Sequence, residues 1–246
     1  MATVISQLVV FFVFIVMLFF KDHSYISFNL NDFTFSTEIL WDIIKVGLPA
    51  SLSMIVMAVG QGVFNKILVH ISVETVAAYQ VAGRLDMLVF LPIFSIAASL
   101  TTLIGMFYGA KEFEALRFTI RYGIISALII TIFSSALVYI FADQVVRFLI
   151  AFIFLQILSF AYPFIAVGIT TGRVLQGLGK GLPVLIITIV RVLGVSAPLA
   201  LFFVFIMEKS VEWVWYSMML STVVAFAIGL TWLVSTIKKL PVKKSG

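Results

Sequence analysis

Residues 4–20 carry no charged side chain, and six further long apolar runs follow at about 43–69, 76–108, 120–141, 148–171, 182–207 and 211–237. A helix needs about 20 mostly apolar residues to cross the hydrocarbon core of a bilayer. Each run is of that order, and each is apolar on all faces over most of its length. A membrane β-barrel would show alternating polarity in segments of about ten residues instead. Composition agrees: of 246 residues, 63% are hydrophobic and only 11% charged, and mean hydropathy is +1.21. An ordinary soluble domain is about half apolar and about a quarter charged. The sequence therefore predicts an all-α membrane protein with seven transmembrane helices. Cysteine is absent, which excludes thiol catalysis, a disulfide scaffold and thiolate metal ligation. No leader is expected in 1–20, since a basic n-region and a small-residue cleavage site before Lys21 are both lacking.

Charge placement predicts the orientation. Lys111, Arg117 and Arg121 follow the third run, Arg173 and Lys180 the fifth, and Lys238, Lys239, Lys243 and Lys244 the last. The alternate loops hold Glu74, then Asp143 with Arg147, then Glu208, Lys209 and Glu212. Basic loops stay on the cytoplasmic side, so the C-terminus is expected inside and the N-terminus outside. A chain whose first residue opens a helix on the outer face reads as a piece of a larger one. The net charge of +5 sits largely in the basic tail. It is read as a topology signal in contact with anionic lipid headgroups, with no nucleic-acid partner.

Pro49, Pro92, Pro163 and Pro198 lie in or near the ends of runs and allow helices to bend. Pro183 suits a first helical turn. Gly105 with Gly109, and Gly168 with Gly172, are spaced for close helix packing. Ser36, Thr37 and Glu38, with Asp42 one turn on, suit a capped helix start.

Ionisable groups at membrane depth are costly and mark function by default. Gln61 and Asn65 share one helix face, with Lys66 beside them. Arg84 and Asp86 lie in the third run, Gln156 and Tyr162 in the fifth, and Arg191 in the sixth. The candidate substrate or cation pathway is Gln61, Asn65, Asp86, Tyr162 and Arg191. Asp86 is the one carboxylate placed for the bilayer interior; it either faces a cleft or pairs with Lys66 across the outer hairpin. One such acid is too few for a complete coupling site. No catalytic triad, phosphate loop or metal cluster assembles from these residues, and His23 and His70 are far apart. The expectation is neither an enzyme nor a metalloprotein.

Lys45-Val46-Gly47-Leu48-Pro49-Ala50-Ser51-Leu52 resembles the opening of the seventh helix of the multidrug and toxic compound extrusion (MATE) transporters. So, for the eighth helix, do residues 76–86 (Val-Ala-Ala-Tyr-Gln-Val-Ala-Gly-Arg-Leu-Asp) with Phe90-Leu91-Pro92, and 100–110 with Gly105 and Gly109. Gly172-Arg173-Val174-Leu175-Gln176-Gly177-Leu178-Gly179 resembles the turn after the tenth. The resemblance covers about 39–237. It implies a six-helix C-terminal lobe over 38–240, preceded by a sixth-helix equivalent at 1–20 and a cytoplasmic inter-lobe linker at 21–37, and followed by a basic tail at 241–246.

The family fold has two six-helix lobes about a substrate cleft and exports organic, often cationic, compounds against sodium or protons by alternating access. The resemblance thus implies a plasma-membrane antiporter of small organic, possibly cationic substrates, with H+ or Na+ as coupling ion and no cofactor. Its partners would be membrane lipids and a missing N-terminal lobe or complementary half-transporter. Several branches carry acids in the seventh and tenth helices, where this chain has Gln61, Asn65 and Tyr162. The coupling acid is therefore expected in the absent lobe. The rival readings are a lobe of a lipid-linked precursor or polysaccharide flippase and, more remotely, a seven-helix receptor. The receptor reading is opposed by the lack of a Schiff-base lysine in 211–237.

Overall fold

The computed structural model describes residues 2–19, 35–145 and 149–241. The expected linker, apart from its last three residues, and the tail beyond Pro241 lie outside them, as do His23, Arg147, Lys243 and Lys244. Every regular element among the described residues is helical. Two compact units are present, Met1–Leu40 and Trp41–Gly246.

The first unit contains α1 (Ala2–Phe19) and the start of α2 (Thr37–Ile71). At 18 residues, α1 reaches about 27 Å, slightly less than a hydrocarbon core of about 30 Å. The Ser36 hydroxyl accepts from the Ile39 N–H at 3.4 Å. It fills the capping role expected of it, because the first turn of a helix leaves its N–H groups without partners.

The second unit continues α2 and adds α3 (Val73–Gly109), α4 (Phe113–Val145), α5 (Leu149–Ser159) and α6 (Tyr162–Gly177). It ends with α7 (Leu182–Ile206) and α8 (Glu212–Lys238). Among the described residues five helices, α2, α3, α4, α7 and α8, are long and apolar enough to cross a bilayer; α5 and α6 form an apolar pair bent by 59°, which makes a sixth crossing if the two halves are one span. The expected count of seven reduces to these crossings plus the shorter apolar helix α1.

The bend has a local cause. Pro163 has no N–H to offer the Ser159 carbonyl, so the helical ladder breaks there. The Ser135 hydroxyl of α4 donates to that carbonyl instead, and the Ser159 hydroxyl donates to the Gln156 carbonyl at 2.7 Å. The other prolines act differently. α2 and α3 run through Pro49 and Pro92. Pro198 stands between two π-helical stretches of α7, Val190–Ser196 and Phe202–Ile206; such wide turns often appear where the regular ladder is interrupted.

α3 packs along both α4 and α6. Buried apolar side chains gather at two places. One cluster joins Phe64, Leu68, Phe154, Tyr162, Val214 and Trp215; the other joins Leu100, Ile104, Leu116, Val174, Leu178 and Leu233. Ile93, Ala127 and Ala166 lie between them along the helices. Lipid is as apolar as these side chains, so association rests on close packing rather than on escape from water.

The glycine pairs singled out by spacing are not where the helices meet most closely. Beyond the backbone of its own helix, a Cβ built on Gly109 or Gly168 meets no atom of the described residues within 4 Å, and Gly105 and Gly172 make only ordinary contacts at 3.7 Å. The tight positions are single glycines. A Cβ on Gly60 would stand 2.2 Å from Val192, on Gly123 2.5 Å from Leu100, on Gly177 2.7 Å from the Thr101 carbonyl oxygen and on Gly181 2.6 Å from the Val46 carbonyl oxygen. A four-residue stripe of small residues tightens packing only where the whole stripe faces a neighbour. Here one glycine at a time faces a branched side chain or a carbonyl.

Candidate functional site

Asp86 lies on α3 in one face with Tyr79, seven residues before it, and Phe90, four residues after it. That face looks onto aromatic neighbours. Tyr79 stacks on Trp215 with ring centroids 5.7 Å apart and meets Phe154 edge-on at 5.5 Å. Phe154 and Trp215 meet edge-on at 4.8 Å. Phe90 meets Tyr162 edge-on at 5.2 Å. The bend between α5 and α6 places Tyr162 at the first position of α6, and its hydroxyl donates to the Asp86 carboxylate.

The result is a carboxylate with one donor among the described residues, half-buried among rings. Its remaining lone pairs can accept a proton or meet a cation, and the ring faces favour positive charge as well. Among the described residues no group of three His, Asp or Glu side chains could hold a metal ion.

Of the five residues singled out from sequence, the structure joins two, Asp86 and Tyr162. Asn65 is half-buried near the end of α2 and accepts a hydrogen bond from Gln80 Nε2 of α3 at 3.3 Å. Gln61, on the same face of α2 as Asn65, is exposed. Arg191 is half-buried in the first π-helical stretch of α7. The alternative partner for Asp86 does not hold: among the described residues Lys66 forms no ion pair with it, and Lys66 is exposed.

Helix register explains why. α2 and α3 turn at Ser72, whose hydroxyl accepts from the Thr75 N–H at 3.1 Å. Asn65 therefore stands opposite Gln80, and Asp86 lies six residues farther along, about 9 Å at 1.5 Å per residue. Counting outward from Ser72 would have found Gln80. No local signal pointed to Trp215, which is fully buried.

Comparison with known proteins follows the same residues. Residues 49–202 match the MatE family model. The chain is 27% identical over 176 residues to "Probable multidrug resistance protein NorM" of Thermotoga maritima, an alignment covering 68% of this chain and 37% of that protein. It superposes, at 32% identity and a TM-score of 0.89, on an outward-facing conformation of a multidrug resistance MATE family transporter of the MOP superfamily. That match covers 97% of this chain and 56% of the other. A MOP superfamily transporter from Pyrococcus furiosus, whose reversed binding-pocket polarity suggests a different function, matches at 30% identity with a TM-score of 0.90, over 99% of this chain and 56% of its own. The chain thus spans about half the length of the solved transporters it matches.

Proposed function

The chain belongs to the MatE family of multi-pass membrane proteins, and on that premise we propose that it forms one lobe of a secondary active exporter of small organic, cationic compounds. The likeness along almost its whole length to an outward-facing multidrug transporter carries the reading. The second lobe, in the same or another polypeptide, supplies the facing wall, and rocking of the lobes exposes the passage to each side in turn. The exporter lies in the plasma membrane with the C-terminus of this chain inside, and H+ or Na+ drives the exchange.

Within this lobe the cargo or the coupling ion meets Asp86, held by Tyr162. Asn65 and Gln80 supply amide contacts nearer the α2–α3 turn; Gln61 and Arg191 border the same passage. The half-buried rings of Tyr79 and Phe90 suit organic cations, whose charge is attracted to ring faces. Flat, adaptable apolar walls also tolerate cargo of varied shape. A lipid-phosphate cargo would call for several arginines together. Arg84 is exposed and Arg191 half-buried on a different helix, with no partner shared among the described residues.

Reconstitution tests the reading. The chain is placed in proteoliposomes alone or with a matching N-terminal lobe, and ethidium efflux is followed under an imposed pH or sodium gradient. Efflux is expected only with both lobes, falling at least tenfold in Asp86→Asn. Coupled efflux from the monomeric chain alone, or undiminished efflux in Asp86→Asn, overturns it.

A further inference from the structure

A second site lies away from Asp86, at the bend between α5 and α6. An open cleft of about 520 Å³ is framed by α4, the bent pair and α8, with Tyr139, Gln156, Phe160, Phe164, Tyr216 and Met219 among its walls. Phe160 belongs to the same bend that carries Tyr162, but Asp86 and its aromatic neighbours do not line this cleft.

Its depth in the bilayer follows from α8. That helix has 27 residues, about 40 Å of length against a hydrocarbon core of about 30 Å, so about 5 Å overhangs at each end. Tyr216, four residues beyond Glu212, lies about 6 Å along and so stands at the hydrocarbon boundary. Met219 and Val223, which also line the cleft, lie about 5 and 11 Å deeper.

The cleft has three polar groups: the Gln156 carboxamide and the hydroxyls of Tyr139 and Tyr216. None has a hydrogen-bond partner among the described residues, since the bond at Gln156 uses its main-chain carbonyl. Neighbours hold the two phenol rings. Tyr139 meets Phe160 edge-on at 5.7 Å, and Tyr216 meets Trp213 at 5.9 Å. No charged side chain lines the cleft.

We infer that this cleft holds one membrane phospholipid, bound through its glycerol esters rather than its headgroup charge. The ester carbonyls accept from the Gln156 amide and the tyrosine hydroxyls, and the acyl chains run down past Phe164, Met219 and Val223. A bare hydrocarbon chain would leave the polar groups unmatched at the edge of a medium with nothing to offer them. A polar solute would leave the deeper apolar wall uncovered. A diacyl phospholipid has both parts, in this order and at this depth, and reaches the cleft laterally from the bilayer.

The full chain in mild detergent is incubated with diacyl phosphatidylcholine or with its dialkyl ether analogue of equal chain length. Bound lipid is then counted by native mass spectrometry. One diacyl lipid is expected per chain, with the ether analogue retained at least fivefold more weakly. Gln156→Leu with Tyr216→Phe lowers diacyl retention to the ether level, and Val223→Trp, which fills the cleft, lowers both. Equal retention of the two lipids by the unaltered chain overturns the inference and needs no variant to fold. Displacement of the lipid by ethidium at equal concentration overturns it too, in favour of a drug site.

Discussion

Gly177 of α6 faces the carbonyl oxygen of Thr101 on α3 so closely that a Cβ at that position would stand 2.7 Å from it, and 3.0 Å from the Cβ of Ile104. Neither atom is the free end of a flexible side chain, so the helices themselves would have to part. Overpacking of this kind costs about 1–3 kcal/mol. Gly177→Ala is therefore expected to lower the melting temperature in detergent by several degrees. Gly109→Ala, with nothing within 4 Å, should leave it unchanged. Thermal scans monitored by size-exclusion chromatography read both; equal melting temperatures would refute the close approach.

The bond between Tyr162 and Asp86 predicts unequal effects for its two ends. Tyr162→Phe strips a half-buried carboxylate of its protein donor, a loss of about 1–3 kcal/mol for a charged acceptor. Asp86→Asn keeps an oxygen that can accept from Tyr162, so its stability should stay closer to the parent while transport falls. Melting temperature and efflux measured on the same preparations separate the two. A larger melting loss in Asp86→Asn than in Tyr162→Phe would contradict this arrangement.

How far the fold was legible depends on the physics behind each element. Five long helices stand where long apolar runs were expected, because a bilayer leaves such a run little alternative to helix, but α2 and α4 begin six and seven residues earlier than their runs at 43 and 120. Pro163 signalled a bend, but the 59° break also needs Ser135 from another helix, and no local sequence pattern shows that. The π-helical stretches flank Pro198, where only a bend was expected. Asp86 and Tyr162 were each legible as polar groups at membrane depth. Their pairing spans 76 positions and depends on how α3 and α6 are rotated, which an apolar-all-round helix does not announce. Asn65 was singled out with Gln61 and Gln80 was not, although counting from the turn at Ser72 sets Gln80 opposite Asn65; pairing Asp86 with Lys66 fails by the same count.

That inter-helix bond, 3.3 Å from Gln80 Nε2 to Asn65 Oδ1, is open to a double-mutant cycle. Side-chain hydrogen bonds between membrane helices average about 0.6 kcal/mol. Asn65→Leu and Gln80→Leu should therefore each destabilise modestly, and the double variant by less than their sum, with a coupling of about 0.5 kcal/mol. Gln61→Leu, on an exposed position of the same helix face, should add to either without coupling. Additivity at all three positions would show that the amides do not interact.

Trp215 sets two effects against each other. It is fully buried, stacked on Tyr79 and edge-on to Phe154, yet its indole N–H has no hydrogen-bond partner among the described residues. Trp215→Phe removes an unsatisfied donor, whose burial costs about 1–3 kcal/mol, while giving up part of the ring volume and stacking, worth about 0.5–1.5 kcal/mol for an aromatic pair. The two nearly cancel, so the variant should melt within a few degrees of the parent. Trp215→Ala keeps none of the packing and should cost about 3–5 kcal/mol. If Trp215→Phe instead melts as low as Trp215→Ala, the indole N–H contributes to stability after all, and an acceptor must reach it in the membrane.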